Sequence, residues 1–414
     1  MSAEHPLRRL ILLTPIAPAP LGNGLAMRCE LFRHAAGHDF EVHTVVVPLA
    51  GGAVRASSAI EVDPDGESAR AGARELLADP VWRERLSRTG TLPRAARAAS
   101  PGLAGALARA LAGERRRESG EQRFDALHVE RAYLAPLGMA LAERLGVPER
   151  TLDLDDDDAA VVEAVHRDRD EARAYERLLS VFGGLYGGLC AASPLDAGAI
   201  AARHGVHVEL VPNAVRVVPA PRKRPAAELR LLLLGNLTYE PNVEAATVLV
   251  RDVLPRVRAL LSGRTVRVTL AGAAREDVRR LASPSVHVLG FVEDLEPLYA
   301  DADIVVAPLR CGGGTRIKLL EAFCHGVPVV ATPKAAEGLE VSDGCHVLLG
   351  SDADGLADAV ARVACQAKLG EELVQHASRL VRERYSYEAV VPCVRAFLSG
   401  AARAPLARQP VVSS

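Results

Sequence analysis

Short apolar runs alternate with helical patterns from the start of the chain. The runs Leu10–Thr14 and Phe40–Val47 flank a stretch of helical periodicity, Leu25–Ala36. This order predicts a strand, a helix and a second strand, the unit from which parallel sheets are built. Further strands are predicted at Ala126–Val129, Thr151–Leu154 and Val208–Val211, with helices over Leu103–Arg117 and between Ala159 and Phe182.

The alternation is most regular after residue 227. Apolar strands separated by helices are typical of a parallel sheet that is covered on both faces. We therefore predict an α/β protein with two Rossmann-like domains that face each other across a cleft, with ligand at the carboxyl ends of the strands. The predicted strands are Leu229–Leu234, Val266–Ala271, Val286–Leu289, Ile304–Ala307 and Val329–Thr332, and the longer helices are Val243–Leu260, Thr315–His325, Leu356–Lys368, Glu371–Arg384 and Tyr387–Leu398.

The chain length agrees with two domains, because 414 residues exceed what one ordinary hydrophobic core supports. Proline and charged residues before position 228 predict a linker. The predicted divisions are an N-terminal domain over 1–212, the linker over 213–227, a C-terminal domain over 228–370, helices over 371–400 that pack back toward the N-terminal domain, and a disordered tail over 401–414.

Composition narrows the class of protein. The formal net charge of -2 gives no overall attraction to nucleic acid or anionic lipid. The seven cysteines include no C-x-x-C pair, which favours a reduced, cytoplasmic protein without a zinc ribbon. Prolines at 15, 18 and 20 interrupt the N-terminal apolar run, so it is interpreted as a buried strand, and no transmembrane segment is predicted.

The strongest chemical signal joins the strand Ile304–Ala307 to the next helix. Gly312–Gly314 let an anion approach the backbone amides, and Thr315 can cap the helix. Arg316 and Lys318 are predicted to place two cations in its first turn. Cations are unfavourable at that end of a helix unless an anion binds there, and a pyrophosphate is the natural candidate.

Glu321 follows Lys318 by one helical turn. Its carboxylate can accept hydrogen bonds from a ribose diol. The alternative interpretation is a plain helix pair between Lys318 and Glu321, worth about 0.2–0.5 kcal/mol, beside a glycine-rich turn with solvated cations.

Other motifs accompany this segment in order. They are Leu234–Asn242, Leu289–Asp294, Ala302–Leu309, Gly312–Ala322, His325–Ala331 and Ala336–Leu339. With them, residues 193–395 resemble the retaining glycosyltransferases of family four, the group 1 glycosyl transferases, which have the GT-B fold. The N-terminal half resembles them more weakly, through Gly22–Gly24, Leu31–Val47 and Thr151–Asp156.

The resemblance implies that residues 1–212 bind the acceptor and residues 228–370 bind the nucleotide sugar. It implies a role for each matching residue. The donor diphosphate is assigned to Gly22, Gly24, Gly312, Gly313, Gly314, Thr315, Arg316 and Lys318, the ribose to Glu321, and the base and donor cleft to Gly235, Asn236, Phe291 and Val292.

The sequence departs from the family pattern at two places. Many relatives carry two glutamates separated by seven residues, but the first of these positions is Gly313 here. A contact to the donor sugar made by that carboxylate must come from elsewhere or be absent. The loop after Leu234 also lacks the Arg and Lys that many relatives place there, which gives Arg316 and Lys318 more weight.

An acidic cluster, Asp153 and Asp155–Asp158, lies at the end of the strand predicted over Thr151–Leu154. Its aspartates can cap the following helix, border the acceptor pocket, or form a D-x-D site for Mg or Mn. His128 closes a neighbouring predicted strand, where a structural role and a role at the acceptor pocket are both open. We take Asp155, Asp156 and His128 as the catalytic candidates.

Two weaker patterns are also present. Gly22–Met27 imitates the G-x-G-x-x-G dinucleotide motif but has Met27 at the third glycine, so a nicotinamide site is disfavoured. Arginines between 94 and 117 favour a solvated face over a membrane surface or an acidic acceptor.

Together, the sequence predicts a cytoplasmic, metal-independent glycosyltransferase with no cofactor beyond its nucleotide diphosphate sugar donor. The acceptor is expected to be a small molecule, a lipid-linked intermediate or a polysaccharide, and no nucleic-acid partner is expected. The resemblance implies retention of anomeric configuration. A nucleotide-sugar 2-epimerase of the same fold and a non-catalytic sugar-nucleotide-binding protein remain open as alternatives.

Overall fold

The computed structural model describes residues 7–49, 54–56, 60–62, 67–115, 123–217, 228–313 and 316–400. The chain divides into two compact units. The first contains Met1–Pro212 and Val391–Ser414, and the second contains Asn213–Val390. The predicted tail and residues 218–227 of the predicted linker lie outside the described residues.

An eight-stranded sheet forms the centre of the first unit, in the order β4-β3-β2-β1-β5-β6-β7-β8. The strands from β2 to β8 in this order run parallel, and β3 and β4 pair antiparallel at one edge. The strands are β1 (Arg8–Thr14), β2 (Phe40–Val46), β3 (Val54–Ala56), β4 (Ile60–Val62), β5 (Ala126–Glu130), β6 (Glu149–Asp153), β7 (Gly188–Ala191) and β8 (Glu209–Leu210). The helices are α1 (Gly24–Ala36), α2 (Glu67–Ala78), α3 (Pro80–Thr89), α4 (Arg94–Ala98), α5 (Ala104–Arg115), α6 (Ala135–Leu145), α7 (Asp158–His166), α8 (Arg169–Phe182) and α9 (Pro194–His204).

A six-stranded parallel sheet forms the centre of the second unit, in the order β11-β10-β9-β12-β13-β14. Its strands are β9 (Leu229–Leu234), β10 (Val266–Ala271), β11 (Val286–Gly290), β12 (Ile304–Ala307), β13 (Val329–Ala331) and β14 (Leu348–Leu349). Its helices are α10 (Glu240–Val248), α11 (Leu254–Leu260), α12 (Glu276–Arg279), α13 (Glu296–Asp301), α14 (Ile317–Cys324), α15 (Pro333–Ala336), α16 (Ala353–Cys365) and α17 (Ala367–Leu380). The last helix, α18 (Tyr387–Ser399), begins in the second unit and ends in the first.

In each sheet the chain adds strands first on one side of its first central strand and then on the other side. We call the place where the side changes the reversal point of the sheet. In the first unit, β1 lies between β2 and β5; in the second, β9 lies between β10 and β12. Loops that leave the carboxyl ends of two such neighbours diverge and leave a crevice, which is where open α/β sheets bind ligands.

The predicted fold class of two α/β units with parallel sheets is confirmed. The strands Leu229–Leu234, Val266–Ala271 and Ile304–Ala307 have the predicted bounds. The helix predicted over Val243–Leu260 is two helices, α10 and α11, joined by a π-helical turn at Leu249–Val253. Among the described residues, none of the helices combines the length and apolarity needed to cross a membrane.

Other predicted bounds differ by a few residues, and the difference at the start of α14 matters most. The helix predicted to begin at Thr315 begins at Ile317, and Arg316 occupies its N-cap position without a side-chain cap hydrogen bond. Arg316 is held outside the helix because its side chain turns back to bind the preceding loop. Gly314 and Thr315 lie outside the described residues.

Candidate functional site

The loops after β9 and β12 leave the sheet of the second unit at its reversal point. The first begins with Gly235 and Asn236, and the second contains Gly312 and Gly313. A Cβ placed on Gly312, whose φ is +104°, would lie 3.3 Å from the Pro241 side chain at the start of α10. The glycine loop therefore lies against the start of α10, which directly follows the loop after β9.

Glycines at three strand ends allow the backbones to meet closely. Gly235 N donates to Ala271 O (3.1 Å), and Gly272 N donates to Gly290 O (2.8 Å). Gly272 has a φ of +137°, and a Cβ there would lie 1.7 Å from the Gly235 carbonyl oxygen. Any side chain at this position would push the loop after β9 away from β10.

The Asn236 turn is closed by its own hydrogen bonds. The Asn236 side chain accepts from the Thr238 backbone N–H (3.1 Å), and Asn242 Nδ2 donates to the Asn236 carbonyl (2.9 Å). The loop after β9 thus has a fixed backbone, although it carries no cation.

Arg316 binds the backbone of the glycine loop. Its guanidinium donates to the carbonyl oxygens of Gly313 (2.7 Å), Gly312 (3.1 Å) and Lys334 (3.0 Å), and the residue is 8% exposed. The sequence prediction of a cation in the first helical turn is therefore wrong for Arg316. The positive charge of Arg316 is stabilised by these three carbonyl groups, and its hydrogen bond to the Lys334 carbonyl links the glycine loop to α15.

Lys318 does lie in the first turn of α14. Its Nζ donates to Glu321 Oε2 (3.0 Å), which also accepts from the buried Tyr299 hydroxyl (3.0 Å). The ring of Tyr299 stacks on His325 at a centroid distance of 4.4 Å. Burial, reinforced by Glu321, holds the pKa of Tyr299 well above its usual range, so the phenol remains a donor that fixes the carboxylate.

The remaining predicted donor residues lie on separate loops. Phe291 and Val292 directly follow β11, and Phe291 is 74% exposed. Gly22, with a φ of +96°, and Gly24, the first residue of α1, belong to the first unit. Their assignment to the diphosphate stays a prediction.

A buried ion pair supports the acidic cluster of the first unit. Arg28 donates from Nε to Asp153 Oδ2 (2.5 Å) and from Nη2 to Asp153 Oδ1 (2.7 Å), with both side chains 0% exposed. The Arg28 charge and hydrogen bonds hold the pKa of Asp153 below its usual range, against the effect of burial. Asp153 Oδ1 in turn accepts from the Asp155 backbone N–H (3.0 Å).

Arg131 faces three carboxylates of the cluster. It donates to Asp155 (2.9 Å), to Asp156 (3.2 Å) and to Asp158. Burial and neighbouring carboxylates outweigh Arg131 and raise the pKa of Asp156 to about 8 and that of Asp158 to about 6. The Arg131 guanidinium therefore does not keep all three carboxyl groups fully ionised at neutral pH.

The aspartates of the acidic cluster have different partners in the structure. Asp157 is the helix cap, because its side chain accepts from the Ala160 N–H (3.2 Å) at the start of α7. Asp155 and Asp156 are bound to Arg131 instead. Within the part of the chain that the structure describes, no group of three or more His, Cys, Asp or Glu side chains has an arrangement that could hold a metal ion.

His128 lies in the interior of the first unit. Its ring stacks on Phe32 (4.3 Å between centroids), its Nδ1 lies 2.8 Å from Thr151 Oγ1, and it is 0% exposed. Burial lowers the pKa of His128 to about 3, so the ring is neutral at physiological pH. The neighbouring Glu130 is equally buried, and burial raises its pKa well above the usual range.

Sequence reasoning missed the groups that organise both sites. Arg28, Arg131 and Tyr299 hold Asp153, Asp155 and Glu321 from distant positions. The signal available for Arg28 was its position between the apolar residues Met27 and Cys29 of α1.

Solved structures of other proteins share this fold. Sucrose-phosphate synthase from Thermosynechococcus elongatus is similar with a TM-score of 0.66 at 17% identity, over 93% of this chain and 97% of that one. HepE from Anabaena, solved in complex with UDP and glucose, gives a TM-score of 0.63 at 14% identity, over 95% and 100% of the two chains. The chain has the GT-B fold.

Trehalose-6-phosphate synthase OtsA is a third GT-B relative, with a TM-score of 0.61 at 14% identity over 95% of this chain and 98% of that chain. No curated protein sequence matches the chain. Residues 228–366 match the family Glycosyl transferases group 1, and this region contains the glycine loop, α14 and the strand ends described above. Residues 228–366 are thus similar to group 1 glycosyl transferases, and they lie in a chain with the GT-B fold.

Proposed function

We propose that the protein transfers a sugar from a nucleotide diphosphate donor to an acceptor, with retention of anomeric configuration and without a metal ion. The observation that carries this proposal is the glycine loop at the start of α14, at the reversal point of the sheet and inside the family-matched region. It offers backbone amides, a helix N-terminus and the Lys318 ammonium to one anion.

Each donor group has a proposed partner in the second unit. The diphosphate binds the amides of Gly312–Thr315 and Lys318, while Arg316 keeps the loop in place through its carbonyl contacts. The ribose binds Glu321, whose Oε2 is held by Tyr299 and Lys318 while Oε1 takes no part in those two bonds. The base lies along Gly235, Asn236, Phe291 and Val292.

The acceptor is proposed to bind the first unit beside Asp155 and Asp156. During transfer, positive charge at Lys318 stabilises the departing nucleoside diphosphate as negative charge develops on it. In a retaining reaction the leaving phosphate can take the proton of the attacking hydroxyl, so no protein base is needed. Proton NMR of the product tests this, since an inverted anomeric centre contradicts retention.

Donor binding is the first test, because it needs no knowledge of the acceptor. UDP, GDP, dTDP and ADP are added separately and the unfolding temperature is measured, starting with UDP because HepE was solved with it. At a hundred times its dissociation constant, the correct nucleotide adds about 2.7 kcal/mol of stability. Absence of stabilisation by all four, and by their sugar derivatives, contradicts a nucleotide-sugar site.

Metal independence has its own test. Transfer, or slow hydrolysis of the donor, is measured after EDTA treatment and again after Mg or Mn is restored. We expect no change, since Lys318 and the loop amides supply the charge stabilisation that a metal gives in other transferases. Activity lost to EDTA and regained with metal contradicts this part of the proposal. A donor whose sugar is epimerised rather than released supports the 2-epimerase instead.

A further inference from the structure

A tight turn before β14 presents a cysteine between two histidines. Within the turn, Cys345 N and His346 N both donate to the Ser342 carbonyl (3.2 and 3.0 Å), and Gly344 N donates to Val347 O (2.9 Å). Cys345 is partly exposed, and its Sγ lies 3.8 Å from His346 Nε2 and 3.5 Å from Nδ1 of His376 on α17. The backbone hydrogen bonds fix the turn and with it the position of Cys345.

The tautomer of His346 follows from its backbone partner. The Ser342 N–H donates to His346 Nδ1 (3.1 Å), so in the neutral ring the proton is on Nε2 and is directed at the sulfur. Burial and the nearby His376 and Arg379 lower the pKa of His346, which favours the neutral ring. The same tautomer leaves Nε2 without a lone pair for a metal ion, so the three side chains are unsuited to ligating zinc.

The sulfur therefore has the Nε2–H of His346 on one side and Nδ1 of His376 on the other, and this Nδ1 can accept the thiol proton when the neutral ring carries its own proton on Nε2. A thiol with a neighbouring base reacts faster than an ordinary surface cysteine. We propose that Cys345 is a nucleophilic modification site that reacts with small disulfides and alkylating electrophiles.

The chemistry is a single displacement. With a disulfide, the proton of Cys345 passes to His376, and the thiolate attacks one sulfur of the reagent. A Cys345–S–S–R bond forms, the reagent's own S–S bond breaks, and the second half leaves as a thiolate that takes the proton. With iodoacetamide, a carbon–sulfur bond forms, the carbon–iodine bond breaks, iodide leaves, and the proton passes from His376 to water.

The chain supplies internal controls for the test. Cys365 and Cys393 are exposed, whereas Cys345 is less so. The full-length protein is treated with a limiting amount of iodoacetamide or hydroxyethyl disulfide, and mass spectrometry follows modification at each cysteine. We expect Cys345 to react about fivefold faster or more than either control. Rates that follow exposure, with Cys345 the slowest of the three, overturn the proposal.

A pair of variants on α17 separates proximity from general accessibility. His376→Ala removes the proton acceptor and should lower the Cys345 rate to that of the exposed cysteines, while the neighbouring Gln375→Ala should leave it unchanged. Unfolding temperature confirms that both variants are folded. An unchanged Cys345 rate in folded His376→Ala rejects the role of His376 and the site with it. Donor binding is measured separately, so the outcome does not depend on the proposed transferase activity.

Discussion

Lys318 and Arg316 are two positions apart, yet they have different partners. Arg316 is held by backbone carbonyls, whereas the Lys318 side chain pairs with Glu321 at the start of α14. The sequence placed both residues at the glycine loop, but it could not reveal this division, because the carbonyl of Lys334 and the Tyr299 hydroxyl come from segments joined only by folding.

Lys318→Ala should weaken donor binding by about 1.5–3 kcal/mol, the value of hydrogen bonds to charged groups. Calorimetric titration with the nucleotide identified by the stability screen measures this loss. Lys368→Ala is the matched control, since Lys368 forms a comparable helix pair with Glu372 (3.7 Å) on α17. Equal affinity of the two variants for the nucleotide excludes Lys318 from the diphosphate site.

Asp155→Asn tests the acidic cluster. Asp155 has a φ of 58°, a conformation that Asn also tolerates, and Asp156 and Asp158 still pair with Arg131 in the variant. If Asp155 contacts the acceptor or the reacting sugar, kcat falls about 100-fold, as for loss of a positioned electrostatic group, with the donor dissociation constant nearly unchanged. A kcat close to that of the original protein assigns Asp155 to folding alone.

His128 should make stability depend on pH. Burial lowers its pKa from 6.5 to about 3, so between these values the unfolded chain binds a proton that the folded chain does not. Stability therefore falls as pH falls through this window, by at most about 1.4 kcal/mol per pH unit from this group.

The measurement compares the original protein with His128→Gln, which can keep a polar contact to Thr151 but does not titrate. Urea unfolding at about pH 7 and about pH 5 should show a smaller loss on acidification in the variant. Asp156 and Asp158 also contribute to the pH dependence of stability, but their contributions are common to both proteins and cancel in the comparison. Identical losses on acidification contradict a buried, neutral His128.

At the scale of elements, the sequence was informative where a segment carries its own signal. β9, β10 and β12 have the predicted bounds because each is a mainly apolar segment that is followed directly by a glycine or a proline. Helices α2 to α4 were missed, and in α2 one reason is Gly72. A Cβ there would lie 2.2 Å from the Gly102 carbonyl oxygen, so a residue that disfavours helices is required by packing that only the folded chain reveals.

The close approach of Gly272 to Gly235 predicts a loss of stability when a side chain is added there, and Gly263 provides a matched control. Gly272 and Gly263 both have positive φ, +137° and +95°, but a Cβ on Gly263 would meet nothing within 4 Å. Gly263→Ala should cost about 1–2 kcal/mol from backbone strain alone. Gly272→Ala should cost about 1–3 kcal/mol more, because β9 and β10 must separate at Gly235. Equal losses in urea unfolding contradict the close approach.

At the scale of the whole molecule, the second unit is one continuous segment and the first unit is not. Residues from Val391 onward belong to the first unit. There, Phe397 is 0% exposed with its ring 6.4 Å from that of Phe32, and Arg395 pairs with Asp39 (2.7 Å). The last two turns of α18 thus complete a core whose other members precede position 213.

A chain ending at Val390 should therefore lose stability in the first unit alone. Loss of the buried Phe397 costs about 3–5 kcal/mol there. Hydrogen exchange is expected to speed up in α1 and β5 while β9 and β12 keep their protection. A chain ending at Gly400 serves as the control and should exchange like the full chain. Faster exchange in both units, or in neither, contradicts the discontinuous first unit.

This discontinuity has a consequence for synthesis on the ribosome. Domains commonly fold in the order in which they leave the exit tunnel, N-terminal first. Here residues 213–390 emerge completely before the end of α18 does, so the second unit can finish folding while Phe32 and His128 still lack Phe397. The first unit is thus translated first but completed last. During that interval its unfinished core exposes apolar side chains to which chaperones can bind.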